Sequence, residues 1–179
     1  MIYFVRHGET EDNVLGISQG QLDIPLNERG IKQAEELSEK LKGYKFDVIY
    51  TSPLIRAKRT AEIINEYHQV EIIEDDRFKE FFAGRRQGTK ASEWTAEMNE
   101  DFMINPEKYG AESNESFYQR CVDAYNDLPE DKDILVVAHA GVYKNIIRFK
   151  ENQPFSSKFV IAANAEILDI SKEPKNEKI

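Results

Sequence analysis

The sequence lacks the features that mark disulfide-stapled, zinc-binding or membrane-spanning proteins. Only one of its 179 residues is a cysteine, Cys121, which excludes an intramolecular disulfide and any cysteine-rich zinc site. No apolar stretch approaches the roughly 20 residues that a membrane-spanning helix needs. The first residues show no charged leader followed by a long apolar run, so no signal peptide is expected. We therefore expect a cytoplasmic protein without a membrane partner.

Positively charged residues are outnumbered by negatively charged ones. The chain has 24 Lys and Arg residues against 33 Asp and Glu residues, a formal net charge of −9. Such a surface repels polyanions, so nucleic acid is not an expected partner. If the substrate is anionic, the cations that hold it must be concentrated in one place. The length suits one domain over residues 1–179 that can bury its own core.

Short apolar runs alternate with segments of helical periodicity. The predicted strands are residues 2–5, 47–51, 70–73, 134–138, 159–162 and 166–170. The predicted helices follow Asn27, begin at Ser52-Pro53, run from residue 113 to about 128, and cover about 142–149. Strands that alternate with helices predict a mostly parallel sheet with helices on both faces, a three-layer α/β/α sandwich.

Several local features refine this prediction. Asn27 is expected to cap its helix, with Ile31 on the inward face, and Ser52 to cap the next helix with Pro53 in its first turn. Residues 7–26 are expected to form a loop. The aromatic- and glycine-containing segment at about 75–112 is expected to form a cap over a pocket. The charged tail at 172–179 is expected to fray.

Ionisable residues follow the predicted strands at the edge where parallel sheets bind ligands. Arg6 and His7 follow the first strand, and Arg56 comes soon after the second. Glu80 follows the third strand and His139 the fourth. Two arginines can hold a tetrahedral oxyanion such as phosphate, and a neutral imidazole beside them can act as a nucleophile. Since a carboxyl group can protonate a leaving oxygen, the residues indicate phosphoryl transfer through a phosphohistidine.

The run Arg6-His7-Gly8-Glu9-Thr10 resembles the signature of the histidine phosphatase superfamily, in its phosphoglycerate-mutase-like branch. Further matching segments follow in the order of that family. They are Asn13, Gln19-Gly20, Asp23-Ile24-Pro25-Leu26, Gly30, Ser52-Pro53-Leu54, Arg56-Ala57, Thr60-Ala61, Glu80, Gly84, Gly88, His139 and Gly141-Val142. The resemblance therefore spans most of the chain.

The resemblance implies a metal-independent phosphomonoester phosphatase that needs no cofactor and acts on a small phosphorylated metabolite. His7 would accept the phosphoryl group, and Glu80 would donate a proton to the leaving oxygen. Arg6, Arg56 and His139 would bind the phosphate and its transition state. The residues expected to contact substrate are Asn13, Ser18, Gln19, Gly20, Ala140, Arg85 and Arg86.

The sequence also departs from the family pattern. Ala140 stands where a glycine is common, and Arg85 and Arg86 stand where an aromatic residue is common. Asn114 replaces a glycine at the start of the third predicted helix. These departures leave the expected catalytic groups in place, so they affect the expected substrate and not the expected mechanism. We hypothesise that Arg85 or Arg86 contacts a second anionic group of the substrate.

Other functions remain open at this point. A mutase would return the phosphoryl group to a second substrate hydroxyl, and a non-catalytic module would only bind a phosphorylated ligand. The oligomeric state, monomer or homodimer, is open as well. The run Gly16-Ile17-Ser18-Gln19-Gly20 matches the nucleophile elbow of serine hydrolases, but no strand precedes it and Pro25 soon follows. Ser18 is therefore expected in a loop that lines the phosphate pocket.

The expected metal independence is directly testable. Hydrolysis of p-nitrophenyl phosphate should be unchanged by EDTA, because the expected phosphate-binding groups are arginines and histidines. Vanadate should inhibit, since it mimics the five-coordinate phosphoryl transition state. Loss of activity on chelation, with recovery on adding a divalent metal, would contradict the prediction.

Overall fold

The computed structural model describes residues 1–154 and 163–172. Within them the strands are β1 (Ile2–Arg6), β2 (Val48–Thr51), β3 (Glu71–Glu74), β4 (Ile134–Ala138) and β5 (Ile167–Asp169). The α-helices are α1 (Glu11–Leu15), α2 (Glu28–Leu41), α3 (Ile55–His68), α4 (Ala96–Ile104), α5 (Asn114–Asn126) and α6 (Ala140–Lys150). None of these helices has the length and apolarity that a bilayer crossing requires.

The strands form one sheet in the order β3-β2-β4-β1-β5. The first four are mutually parallel, and β5 pairs antiparallel with β1. This confirms the mostly parallel sheet. The predicted strand at 159–162 and the predicted tail beyond residue 172 lie outside the described residues.

Helices cover both faces of the sheet, which confirms the three-layer architecture. Alternate residues of β1 and β4 point to opposite faces. On one face Phe4 and Val136 pack with residues of α5 and α6, and on the other Val5 and Val137 pack with residues of α2 and α3. All five residues of β4 are buried, because both of its faces and both of its edges are covered.

Two predictions about α2 have different outcomes. Asn27 caps the helix as expected, since its side chain accepts a hydrogen bond from the N–H of Gly30. The inward position of Ile31 is wrong, because 37% of this residue is exposed. The buried stripe of α2 consists of Ala34, Leu37 and Leu41.

The predicted start of α3 is also wrong. The helix begins at Ile55 rather than Pro53, and Leu54 occupies the capping position with no side-chain hydrogen bond. The Ser52 hydroxyl accepts from the N–H of Leu54 at 3.3 Å, ahead of the helix, and lies 2.8 Å from Nε2 of His139. The serine thus positions a histidine of the site described below.

The predicted loop at 7–26 contains a helix that sequence patterning missed. Thr10 and Asn13 form a reciprocal capping box that starts α1, and Gly16 ends it in the left-handed conformation. The helix has only five residues and no buried ones, so it has no hydrophobic periodicity to detect.

The segment at about 75–112 consists of α4 and four short 3-10 helices joined by loops. Its aromatic residues form their own cluster, in which the ring centroids of Trp94, Phe102 and Tyr109 lie 5.0–5.7 Å apart. The segment therefore has an apolar centre of its own beside the sheet edge.

Candidate active site

The register of the sheet brings the two strand-terminal histidines together. Arg6 lies opposite Ala138 in the parallel β1–β4 pair, so His7 and His139 leave the sheet side by side. The centroids of their imidazole rings are 5.2 Å apart. Because β2 pairs with the other edge of β4, α3 starts at the same end of the sheet. This is the edge where parallel sheets bind ligands.

The His7 imidazole is held neutral, in one defined tautomer. Only 3% of the residue is exposed, and Nδ1 lies 2.7 Å from the carbonyl oxygen of Gly8. A carbonyl oxygen only accepts, so Nδ1 carries the proton and Nε2 keeps its lone pair. Burial, followed by the positive charge of Arg56, lowers the pKa of His7 well below its usual 6.5. Nε2 is therefore available as a nucleophile at neutral pH.

His139 is fully buried, and Ser52 fixes its ring through the 2.8 Å contact between Oγ and Nε2. Burial, followed by the charge of Arg56, lowers the pKa of His139 well below 6.5. Its Nδ1 is buried without a hydrogen-bond partner in the described part of the chain. Such an atom costs about 1–3 kcal/mol. When Ser52 donates to Nε2, Nδ1 carries a hydrogen that a bound oxyanion could accept.

Arg56 is a buried cation in the first turn of α3, where its charge opposes the helix dipole. Its Nη1 donates to the carbonyl oxygen of Leu22 and its Nη2 to that of Gly20, each at 2.7 Å. Burial lowers its pKa to about 10, so the group stays charged at neutral pH. Burial also lowers the pKa of Arg6, and the charge of Glu80 opposes this shift. Two partly desolvated guanidinium groups favour a bound anion.

The Glu80 carboxylate is fixed by two backbone donors. Oε1 accepts from the N–H of Phe81 at 2.8 Å, and Oε2 accepts from the N–H of Gly141 at 3.1 Å. Gly141 lies in the first turn of α6, where backbone N–H groups have no partner within the helix. A Cβ at residue 141 would overlap the Glu80 carboxylate. Only glycine therefore permits this approach.

Arg120 on α5 fixes the backbone that carries Glu80. Its guanidinium donates to the carbonyl oxygens of Arg77, Lys79 and Glu80 at 2.6–2.9 Å. It also makes a bidentate pair with Glu112, at 3.0 and 2.6 Å. Arg120 is a positioning residue that the sequence analysis missed. No motif or periodicity links it to Glu112, since the two residues are eight apart across the start of α5.

Asn13 and Asn164 support the other side of His7. Asn13 Oδ1 accepts from the N–H of Thr10 at 3.2 Å. Asn164 donates to the carbonyl oxygen of His7 at 2.8 Å and lies 3.5 Å from Asn13 Oδ1. Asn164 was also missed, because an isolated asparagine near the end of the chain carries no signal in the sequence.

Ser18, Gln19 and Gly20 line the cleft beside His7, as the sequence predicts. Ser18 is not on a strand-to-helix turn, because the short helix α1 precedes it and its backbone N–H donates to the carbonyl oxygen of Thr89. The serine-hydrolase alternative therefore lacks the structural context that its motif requires.

Four predicted site residues are not among those that line this cleft, namely His139, whose ring lies beside that of His7, and Arg85, Arg86 and Ala140. The guanidinium carbon of Arg86 lies 5.1 and 4.9 Å from the ring centroids of Trp94 and Phe102, where cation–π attraction holds it in the cap cluster. Arg85 is exposed. Ala140 is the first residue of α6 and is half-buried. The expected contacts of Arg85, Arg86 and Ala140 with substrate stay predictions.

The resulting cleft, termed the phosphate cleft, has a volume of about 250 Å³. Its lining residues are Arg6, His7, Asn13, Ile17, Ser18, Gln19, Gly20, Arg56, Glu80, Phe81 and Ala83. A larger groove of about 480 Å³ lies between the 23–26 loop and α3, but it has no histidine. In the described residues no cluster of three or more His, Cys, Asp or Glu side chains is placed to hold a metal ion. The catalytic roles of the lining residues stay predictions.

Comparison with known proteins identifies relatives over most of the chain. The family model of the histidine phosphatase superfamily (branch 1) matches residues 2–178. The chain is 41% identical over 143 residues to the uncharacterized phosphatase PhoE of Bacillus subtilis, covering 78% of this chain and 72% of the relative. It is 37% identical to phosphoserine phosphatase 1 of Hydrogenobacter thermophilus, covering 77% and 70%.

Solved structures show the same architecture. YhfR of Bacillus stearothermophilus superposes with a TM-score of 0.80 at 29% identity, covering 93% of this chain and 88% of that one. A phosphoserine phosphatase of Entamoeba histolytica, solved with 3-phosphoglyceric acid, gives a TM-score of 0.79 at 30% identity, covering 93% and 87%.

The two buried histidines predict a pH dependence of stability. Their folded-state pKa values are lowered. The unfolded chain therefore binds more protons than the folded one below about pH 6.5. Stability is fully present above that pH and falls as the pH drops toward the folded-state values, by up to about 1.4 kcal/mol per pH unit for each histidine.

Urea unfolding from pH 7.5 to 5 tests this. The double variant His7→Gln/His139→Gln should show a shallower dependence of unfolding free energy on pH than the wild type. His68→Gln is the matched control at a half-buried position and should change the slope less. An unchanged slope in the double variant would contradict the burial of neutral imidazoles.

Proposed function

The chain belongs to the histidine phosphatase superfamily (branch 1), and from this membership we propose that it hydrolyses phosphate monoesters of small metabolites through a phosphohistidine at His7. The observation that carries the proposal is the neutral His7 ring. Its Nδ1–H is tied to the Gly8 carbonyl, and its Nε2 is left unprotonated in a cleft with Arg6 and Arg56.

In the first step the phosphoryl group moves from the substrate to His7. Arg6 and Arg56 neutralise the bound dianion, and His139 donates from Nδ1. Nε2 of His7 attacks phosphorus, so a P–N bond forms as the ester P–O bond breaks. Protonated Glu80 gives its proton to the leaving oxygen. The Gly8 carbonyl accepts the Nδ1–H throughout and stabilises the positive charge that develops on the ring.

In the second step water takes up the phosphoryl group. The Glu80 carboxylate removes a proton from water as the oxygen attacks phosphorus and the P–N bond breaks. Inorganic phosphate leaves, and His7 and protonated Glu80 are restored. The backbone donors at Phe81 and Gly141 hold the same carboxyl group for both transfers.

The relatives support a small phosphorylated metabolite as the substrate. Two of them are phosphoserine phosphatases by name, and an Entamoeba histolytica neighbour was solved with phosphoserine. The phosphate cleft of about 250 Å³ suits one phosphoryl group rather than a polymer. We propose the cytoplasm as the place of action, where a free thiol such as Cys121 stays reduced.

Covalent labelling tests the nucleophile. Rapid quenching of wild type with a ³²P-labelled substrate should trap acid-labile, base-stable label on the protein, and His7→Ala should trap none. His68→Ala is the control and should label as wild type does. Label that persists in His7→Ala would overturn the assignment.

The same experiment distinguishes a phosphatase from a mutase. For a phosphatase, chase with unlabelled substrate releases the label as inorganic phosphate at the rate at which the protein loses it. Transfer of the label to a second hydroxyl of the substrate would instead indicate a mutase.

Leaving-group dependence tests Glu80. Glu80→Gln should slow hydrolysis of alkyl phosphates by about 100- to 10,000-fold, because a poor leaving group needs a proton. Hydrolysis of p-nitrophenyl phosphate should fall far less, since nitrophenolate leaves without one. Equal losses of kcat/KM on both substrates would show that Glu80 is only structural.

A further inference from the structure

A second cavity adjoins the phosphate cleft at Glu80. Its volume is about 280 Å³, and it shares Glu80 and Phe81 with the phosphate cleft. The lining residues are Glu80, Phe81, Phe102, Met103, Asn114, Phe117, Gly141, Lys144, Asn145 and Arg148. This size lies just below the common range of ligand pockets, about 300–1,000 Å³. An ester whose phosphate occupies the first cleft would place its alcohol part here, because the leaving oxygen must meet Glu80.

One face of α6 lines this cavity with polar residues. Gly141, Lys144, Asn145 and Arg148 have the spacing i, i+3, i+4 and i+7, which places them on the same side of the helix. Because inward faces of helices are normally apolar, charged and amide side chains on this face of α6 are unusual. Gly141 holds the Glu80 carboxylate, and Lys144 follows about 5 Å further along the helix axis.

Lys144 has no carboxylate partner within 4.0 Å in residues 1–154 and 163–172. The residue is half-buried, and burial followed by the charge of Arg148 lowers the pKa of its amine. The neighbouring Asn145 Oδ1 accepts from Nη1 of Arg148 at 2.7 Å. A like-charged pair at i and i+4 is unfavourable in an isolated helix, so a bound anion would offset its cost.

The opposite wall of the cavity is aromatic. Phe102 and Phe117 are buried, and the ring of Phe81 packs against both, with centroids 6.2 and 5.4 Å away. Met103 is 69% exposed. The cavity therefore offers apolar contact for a carbon skeleton and a cation for one anionic group.

We propose that this leaving-group cavity binds the alcohol part of a phosphomonoester that carries a carboxylate, with Lys144 as the counter-ion of that carboxylate. The proposal rests on the proposed phosphatase function, since it names the class of ester hydrolysed. It also gives the second anionic group of the substrate a partner other than Arg85 or Arg86. Lys144 is thereby a specificity-determining residue that touches substrate away from the reacting phosphorus.

Matched substrate pairs test the proposal. The probes are the 4-phosphonooxyphenyl derivatives of acetate, propanoate and butanoate, each paired with its own N-methylamide, so that charge alone differs within a pair. For at least one chain length, wild type should prefer the carboxylate in kcat/KM by about tenfold. Lys144→Met should abolish that preference, and Lys144→Arg should keep most of it. Lys32→Met, which removes a lysine from the exposed face of α2, is the control and should keep the wild-type ratio.

The ratio of kcat/KM for each acid to that for its amide distinguishes failure of the cavity proposal from failure of the proposed phosphatase function. If wild type hydrolyses all six esters and neither it nor Lys144→Met distinguishes acid from amide at any length, the cavity proposal is overturned while the phosphatase function stands. A preference that survives in Lys144→Met also overturns it. If wild type hydrolyses none of the esters and p-nitrophenyl phosphate as well, the proposed function itself fails.

Discussion

The site depends on keeping two imidazoles uncharged beside two guanidinium groups at a buried strand edge. In water His7 and His139 would be half-protonated near pH 6.5. Burial and the charge of Arg56 lower both pKa values, which leaves the positive charge to the arginines and keeps Nε2 of His7 unprotonated for the proposed nucleophilic attack. A phosphate dianion is the natural counter-charge for such a pair. Burial of the guanidinium groups costs stability, and the same burial strengthens their attraction for a phosphate dianion.

This arrangement requires a rigid frame, and the fold supplies it from several elements. The β1–β4 register sets the two rings side by side, Ser52 orients His139, and the Gly8 carbonyl selects the tautomer of His7. Glu80 comes from an irregular segment, which explains its many supports. Backbone donors hold its carboxylate, and Arg120 holds the backbone that carries it. Displacement of the acid by even an ångström would be costly for proton transfer.

The sequence predicted the features of the fold and site that depend on hydrophobic periodicity and on where the strands end. The parallel sheet, its two helical layers and the meeting of His7 with His139 follow from apolar runs and from the rule that strand ends converge. The predicted start of α3 was wrong because Leu54 rather than Ser52 occupies the capping position. The contact of the Ser52 hydroxyl with His139 depends on the strand register, which the sequence does not show. Arg120 and Asn164 could not be predicted, because each acts through contacts with residues distant along the chain. Arg86 lies over the rings of Trp94 and Phe102, a cation–π contact that no periodicity in the sequence predicts, and its expected contact with substrate stays a prediction.

The most direct test of the account is the protonation state of the His7 ring, followed by ¹⁵N NMR of the histidine nitrogens with His7→Gln for assignment. The account predicts a neutral ring with hydrogen on Nδ1 and an unprotonated Nε2 from pH 8 to well below 6.5. A ring that is an imidazolium at pH 6.5, or a neutral ring with its hydrogen on Nε2, would contradict it.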